Sequence, residues 1–227
     1  MATTIITAPL GTFTSPKFTL SLPHMTWDPL FANNVELLLG NLTVISAEGT
    51  GQGICAYPEF AQSTGQFYWE CTWSGLSSPG PVGGIGICTI PAIDDYATLA
   101  ANATGGVILR PNGDVWADGV MIQPGSFTEL AVKEGDTIGI LINFTDPRFV
   151  AVYWFGVSGS VVNIVSGAYQ GLPGLYIPCV VFGDNPPTNA DAVAANFSRD
   201  RDAYIGPNGP FSDEDWSGVS WGWPNTA

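Results

Sequence analysis

The sequence predicts an all-β fold: a two-sheet antiparallel β-sandwich flanked by an N-terminal arm and a C-terminal tail. Three observations carry this. Residues 65–73 (GQFYWECTW) alternate with period two, placing Phe67, Trp69, Cys71 and Trp73 on one face and Gln66, Tyr68, Glu70 and Thr72 on the other. The apolar runs are short and divided by turns rich in glycine and proline (28 and 18 residues of 227), the punctuation of a sandwich or barrel. Residues 149–155 (FVAVYWF) are apolar at every position, so that strand needs a layer over each face.

The aromatic stretch is the expected centre of packing, because large rings bury large apolar areas. Polar turn residues bound it: Gln62, Ser63, Thr64 and Gly65 before, Ser74 and Gly75 after. Glu70 is its odd member. A carboxylate in mid-strand is either solvated on the outer face or hydrogen-bonded inside, and its expected role is structural.

Residues 1–23 read as an arm. Its runs 3–7 and 18–22 can pair as edge strands, and Pro9, Pro16 and Pro23 break them. The sandwich is assigned to residues 24–205 and a Trp-rich acidic tail to 206–227. Residues 35–39 and 42–45 flank Gly40-Asn41, a hairpin signal. Residues 53–56 form a short strand, 75–83 a Gly/Pro/Ser loop, and 84–89 (GIGICT) a buried strand. Residues 91–105 are small and polar, and a loop of that length is usually functional or mobile. Residues 106–110 and 115–118 flank a second hairpin signal, Pro111-Asn112-Gly113-Asp114.

A charged turn at 131–136 precedes 137–143 (TIGILIN), with Ile138, Ile140 and Ile142 on one face. Residues 156–174 are loop with one apolar run, 161–165. Residues 176–182 (YIPCVVF) form a strand whose Pro178 favours an edge or bulge position. Residues 183–191 (GDNPPTNAD) are a second exposed loop, and 192–197 the last core strand.

Twenty acidic residues face six basic ones, for a net charge of −14. Phosphate backbones and anionic membrane surfaces call for the opposite balance, so neither nucleic acid nor membrane is an expected partner. The acidity suits solubility or docking to a basic protein surface. The N-terminus lacks the pattern of a secretory signal, and no apolar run reaches the roughly 18 residues of a membrane span. Cys55, Cys71, Cys88 and Cys179 lie in apolar runs without a CxxC pair, so buried free thiols are expected ahead of a disulfide, and zinc is disfavoured. The four Asn-x-Ser/Thr triplets read as chance.

Catalysis needs groups that attack or move protons. His24 is the only histidine and stands at the arm boundary, where a surface or packing role is expected. The carboxylate string of jelly-roll glycosidases, Glu-x-Asp-x-x-Glu, does not occur. Asp94, Asp95, Asp184, Asp191, Asp213, Glu214 and Asp215 offer oxygens without calcium-loop spacing, and read as solvated acidic loops. Gly83-Gly84-Ile85-Gly86 lacks the lysine and following helix of a nucleotide loop. No catalytic residue, metal or cofactor is therefore expected. The candidate binding residues, for protein or glycan, are Asp94, Asp95, Tyr96, Asp184, Asn185, Trp216, Trp221 and Trp223. Trp116 and Trp154 are assigned to the core, with contact as the alternative.

Taken in order, these pieces resemble the SPRY domain, a sandwich of the concanavalin-like jelly-roll kind. The resemblance spans about residues 26–205. It rests on Thr26-Trp27-Asp28-Pro29, Gly40-Asn41-Leu42-Thr43, the Tyr68-Trp69-Glu70 strand, the glycine-rich run 82–89, Glu134-Gly135-Asp136-Thr137-Ile138-Gly139, Tyr176-Ile177-Pro178 and Ala195-Asn196-Phe197. Asn143 stands where the family has aspartate, and Phe155-Gly156 where it has Asn-Gly. The resemblance implies a non-catalytic module that binds proteins through loops at one end of the sandwich. Domains with the Thr-Trp-Asp-Pro opening also resemble parts of bacteriophage structural proteins. That implies a virion component made in the host cytoplasm, of capsid-decoration or fibre type, with virion subunits as partners and homo-oligomers possible. A lectin-like module using loops 91–105 and 183–191 is the alternative.

Overall fold

Two antiparallel sheets face each other across an apolar interior in the computed structural model, which describes residues 25–47, 52–74, 83–123, 134–148, 150–158, 169–171, 173–183, 191–199, 204 and 218–224. The arm at 1–23, His24, the run 161–165, Asp184, Asn185 and Trp216 lie outside the described residues.

The strands in chain order are β1 (Val35–Leu38), β2 (Thr43–Ser46), β3 (Gln52–Cys55), β4 (Gln66–Ser74), β5 (Gly83–Thr89), β6 (Gly106–Leu109) and β7 (Val115–Ala117). They continue with β8 (Val120–Gln123), β9 (Thr137–Asn143), β10 (Val150–Ser158), β11 (Tyr169–Gly171), β12 (Tyr176–Phe182), β13 (Ala192–Asn196) and β14 (Ser220–Trp221). The first sheet runs β1-β2-β13-β4-β9-β10-β11, with β14 also paired to β4. The second runs β3-β12-β5-β6-β7-β8.

The period-two reading of the aromatic strand holds. Phe67, Trp69, Cys71 and Trp73 of β4 enter the main core with Ile138, Ile140 and Ile142 of β9 and Val150, Val152 and Trp154 of β10. From the second sheet come Ile54, Ile85, Ile87, Val107 and Val180. Trp154 is thus core, as expected. All four cysteines are buried and free.

Both expected hairpins form. Leu39, Gly40 and Asn41 turn between β1 and β2 with positive φ, and Arg110–Asp114 closes β6 onto β7. A third hairpin escaped the sequence reading. Asp118 (φ 44°) and Gly119 (φ 84°) make a two-residue turn with both central residues left-handed, the type I′ geometry that Asp-Gly favours.

Three expectations need correction. Residues 91–105 are not a structureless loop: a 3-10 turn, Ile90–Asp94, leads into helix α1 (Tyr96–Asn102). Pro178 sits on an interior strand, since β12 lies between β3 and β5. Ala56 donates to the Pro178 carbonyl at 2.9 Å, so the proline nitrogen is turned to the place just past the last paired residue of β3, where no ladder bond is lost. Finally, β13 is not the last strand. It leaves β4 at the Asn196–Glu70 pair, and β14 then lies parallel to Phe67 and Tyr68.

Candidate binding surface

The second sheet carries α1 on its outer face. Asp95 caps the helix, accepting from the Thr98 amide at 3.0 Å and the Thr98 hydroxyl at 2.6 Å. Those two bonds hold the Asp95 carboxyl below the usual range. Ala103, with φ 57°, ends the helix. The apolar side of α1, made by Tyr96, Leu99 and Ala100, packs on Cys55, Cys88, Ile108, Ile177, Cys179 and Val181.

This packing corrects the expected exposure of Tyr96, which is 3% accessible. Its ring lies flat over Gly53, where a β-carbon would come within 2.4 Å of it, and its hydroxyl donates to the Phe31 carbonyl. Asp94 and Asp95 remain exposed at the head of the helix. Arg110 is buried at the opposite end. It donates to the Ala101 carbonyl at 2.5 Å and lies 4.3 Å above the ring of Trp116, and burial pulls its pKa down. Trp116 is half-buried, between the two roles expected of it.

Two of the tail tryptophans are engaged by their own sandwich. Trp223 is 1% exposed in the main core, and Trp221 is half-buried against Tyr68 and Tyr204 on the outer face of the first sheet. Glu70 lies under this outer layer, accepting from the Tyr68 hydroxyl at 2.9 Å. Burial, then the neighbouring Glu70, pushes the Tyr68 phenol upward. Cys55 and Cys179 are direct cross-strand partners, with Cys88 beside Cys179; burial pushes the Cys55 and Cys88 thiols upward. Among the described residues, no three His, Cys, Asp or Glu side chains are grouped to hold a metal ion.

Apart from Leu30, and from Leu38 and Leu39 at the β1–β2 turn, the exposed large apolar side chains of the described residues lie on a rim at one end of the second sheet or along β8. Tyr176 of β12 pairs with Thr89 of β5, so Leu175 and Ile90 follow at the same end. Thr89 bonds to Gly105, and Asp118 to Gly106, which places the β7–β8 turn beside them. Leu175 (52% exposed), Ile90 (37%) and Val120 (63%) thus mark an apolar line with Asp94, Asp95 and Asp118 around it. Four strand spacings, about 19 Å, separate β12 from β8. Met121 (44%) and Ile122 (42%) extend the line along β8, the outermost strand.

Of the three arginines among the described residues, Arg110 is buried, Arg148 holds Asp146 at 2.6 Å, and Arg199 follows β13 of the first sheet. The second predicted loop is anchored away from this rim. Gly183 follows the Phe182–Gly83 pair, at the other end of β12 from Thr89. Seven residues of β12, about 20 Å, lie between the two ends.

No family model matches the sequence, and no curated protein matches it. Solved structures match the fold. The SPRY domain of human HERC1 aligns with a TM-score of 0.52 at 13% identity, covering 74% of this chain and 96% of that one. A second human SPRY domain aligns at 0.46 and 16%, covering 72% and 94%. The sandwich is therefore of the SPRY type, a likeness of fold.

Proposed function

We propose that the chain is a non-catalytic interaction module that grips protein neighbours with the β12-to-β8 rim of its second sheet. One observation carries the reading: Val120, Met121 and Ile122 are consecutive, apolar and exposed at the sheet margin. Apolar surface gathered in this way and edged by charge is the usual mark of a contact site. The SPRY-type fold suits the same role by analogy, since SPRY domains are generally protein-interaction modules. The other binding candidates contribute less, because Tyr96 and Trp223 are consumed by packing and Trp221 is half covered. Asp94 and Asp95 stay in the proposal as part of the rim's acidic border; Asp184, Asn185 and Trp216 stay as proposed binding residues.

The setting we propose is the surface of a phage particle, as a capsid-decoration or fibre-type subunit. Its support is the Thr26-Trp27-Asp28-Pro29 opening and the acidic balance of the chain. The test is a double variant, Val120→Lys with Ile122→Lys, tracked by sedimentation with particles and by pull-down of virion subunits. Retention should fall at least about tenfold, the loss expected when apolar contacts worth roughly 1.4 kcal/mol are removed. Undiminished retention would reject the rim. A glycan array that lights up, or a calcium-dependent thermal shift, would favour the lectin-like alternative instead.

A further inference from the structure

Among the described residues, the rim ends in a strand edge, β8, that no other strand covers. Resting on the reading above, we infer that β8 is a strand-addition site, and that its partner is an extended apolar segment flanked by lysine or arginine from another protein. The backbone geometry comes first. Ala117 and Val120 close a two-residue hairpin, and in such a turn the closing pair exchanges hydrogen bonds. The next residue, Met121, therefore turns its amide and carbonyl away from β7. Among the described residues no strand pairs with that side of β8.

The side chains agree with the backbone. Natural edge strands are commonly guarded by lysine, proline or inward charge. The sequence of β8 is Val-Met-Ile-Gln, and its first three side chains stand open to solvent. The bulge between Val115 and Trp116 limits the free ladder to a short stretch around Val120 and Met121. A short edge favours a bound segment of a few residues over continuous sheet growth.

Charge chooses the occupant. A second copy would carry the same net charge of −14 and meet this chain with like sign. Asp118 stands in the turn that opens the strand. A basic flank on the incoming segment is complementary to Asp118 and to the acidic balance of the chain, and main-chain bonds to Met121 supply the anchor.

The test uses the full chain and a synthetic peptide, Lys-Lys-Val-Thr-Val-Thr-Val-Lys-Lys, in fluorescence anisotropy. Met121→Pro removes an outward amide together with one apolar side chain, so it is read against Met121→Ala; it should weaken binding about tenfold or more beyond the alanine variant while thermal unfolding stays in place. The same peptide N-methylated at alternate residues should bind as weakly to the unaltered chain, which keeps the test decisive if the proline variant folds poorly. A glutamate-flanked peptide should also bind worse, by about tenfold at low salt.

Equal binding of the methylated peptide, or no binding of the lysine peptide at millimolar concentration, overturns strand addition. The rim reading is then judged separately by the Val120→Lys, Ile122→Lys retention assay. A concentration-dependent dimer in sedimentation that Met121→Pro abolishes would make the occupant a second copy and overturn the basic partner.

Discussion

Trp223 donates its indole N–H to the Phe60 carbonyl at 2.9 Å, across 163 positions of sequence. Its ring meets Phe67 at 5.0 Å, Trp69 at 5.4 Å and Phe144 at 6.4 Å between centroids. A buried tryptophan of this kind fills space that no neighbour can reach. Trp223→Ala should cost about 3–5 kcal/mol, read as a lower urea midpoint. Trp223→Phe should fall between the two, since it keeps a ring but leaves the Phe60 oxygen without this donor. A midpoint unmoved by the alanine change would contradict the docking.

Tyr68 and Glu70 test the outer aromatic layer. Both are buried, and the hydroxyl reaches the carboxyl at 2.9 Å. Tyr68→Phe deletes the donor alone and should lower stability by about 1–3 kcal/mol. Gly139 lies so close beneath this hydroxyl that a β-carbon would sit 2.2 Å from it. Gly139→Ala should therefore move Tyr68 and perturb the near-ultraviolet signal as well as the midpoint.

The chain should lose stability in alkali. Burial is the first cause raising the phenols of Tyr68, Tyr96 and Tyr204 above their ordinary 10.0, and the thiols of Cys55, Cys71 and Cys88 above 9.0, with Cys71 reaching about 12. Between the unfolded and folded values the native state holds the proton and the unfolded state has lost it. Stability is thus complete below about pH 9 and falls as pH rises, by up to about 1.4 kcal/mol per unit per group. Urea midpoints at pH 8 and pH 11 check this; a flat response would refute the burial of these groups.

The same burial should silence the thiols. Cys55, Cys71, Cys88 and Cys179 are at most 2% exposed. A coloured disulfide reagent at pH 8 should titrate almost nothing in the native chain and four thiols in guanidinium. Rapid native reaction of Cys55 or Cys179 would mean that α1 lifts readily from β3 and β12.

At Gly86 a β-carbon would come within 1.9 Å of the Val107 carbonyl oxygen on β6. Both groups belong to paired strands, so neither can swing away. Gly86→Ala should cost more than the roughly 1–3 kcal/mol of ordinary overpacking and reduce soluble yield. Gly135→Ala is the matched control: open space surrounds that position, and only its left-handed φ of 82° opposes a side chain.

The interior was legible because period two writes itself plainly. Phe67, Trp69 and Trp73 point as their spacing requires, and Ile138, Ile140 and Ile142 do the same. Glycine-bearing turns marked two hairpins, and a third, at Asp118-Gly119, carries an equally plain Asp-Gly signal. Helix α1 was harder to read. Seven residues with three alanines give a weak periodicity, and the clue was local: Asp95 followed at the third position by Thr98. The fate of Tyr96 depended on Gly53, which is distant in sequence and offers the flat bed its ring needs. The rim was invisible for a related reason. Exposure of Val120 to Ile122 follows from sheet order, and sheet order is a property of pairing across the whole chain.

The pairing of β14 with β4 bears on how the protein is made. While a ribosome is still translating residues up to 217, the groove beside Phe67 and Tyr68 stands empty and the indole that plugs it has not been synthesised. Until residue 223 has been made and delivered, the nascent polypeptide must keep this part of its interior covered by other means. Detaching residues 218–224 from the sandwich would reopen that groove, so this short strand matters more to the fold than its two residues suggest.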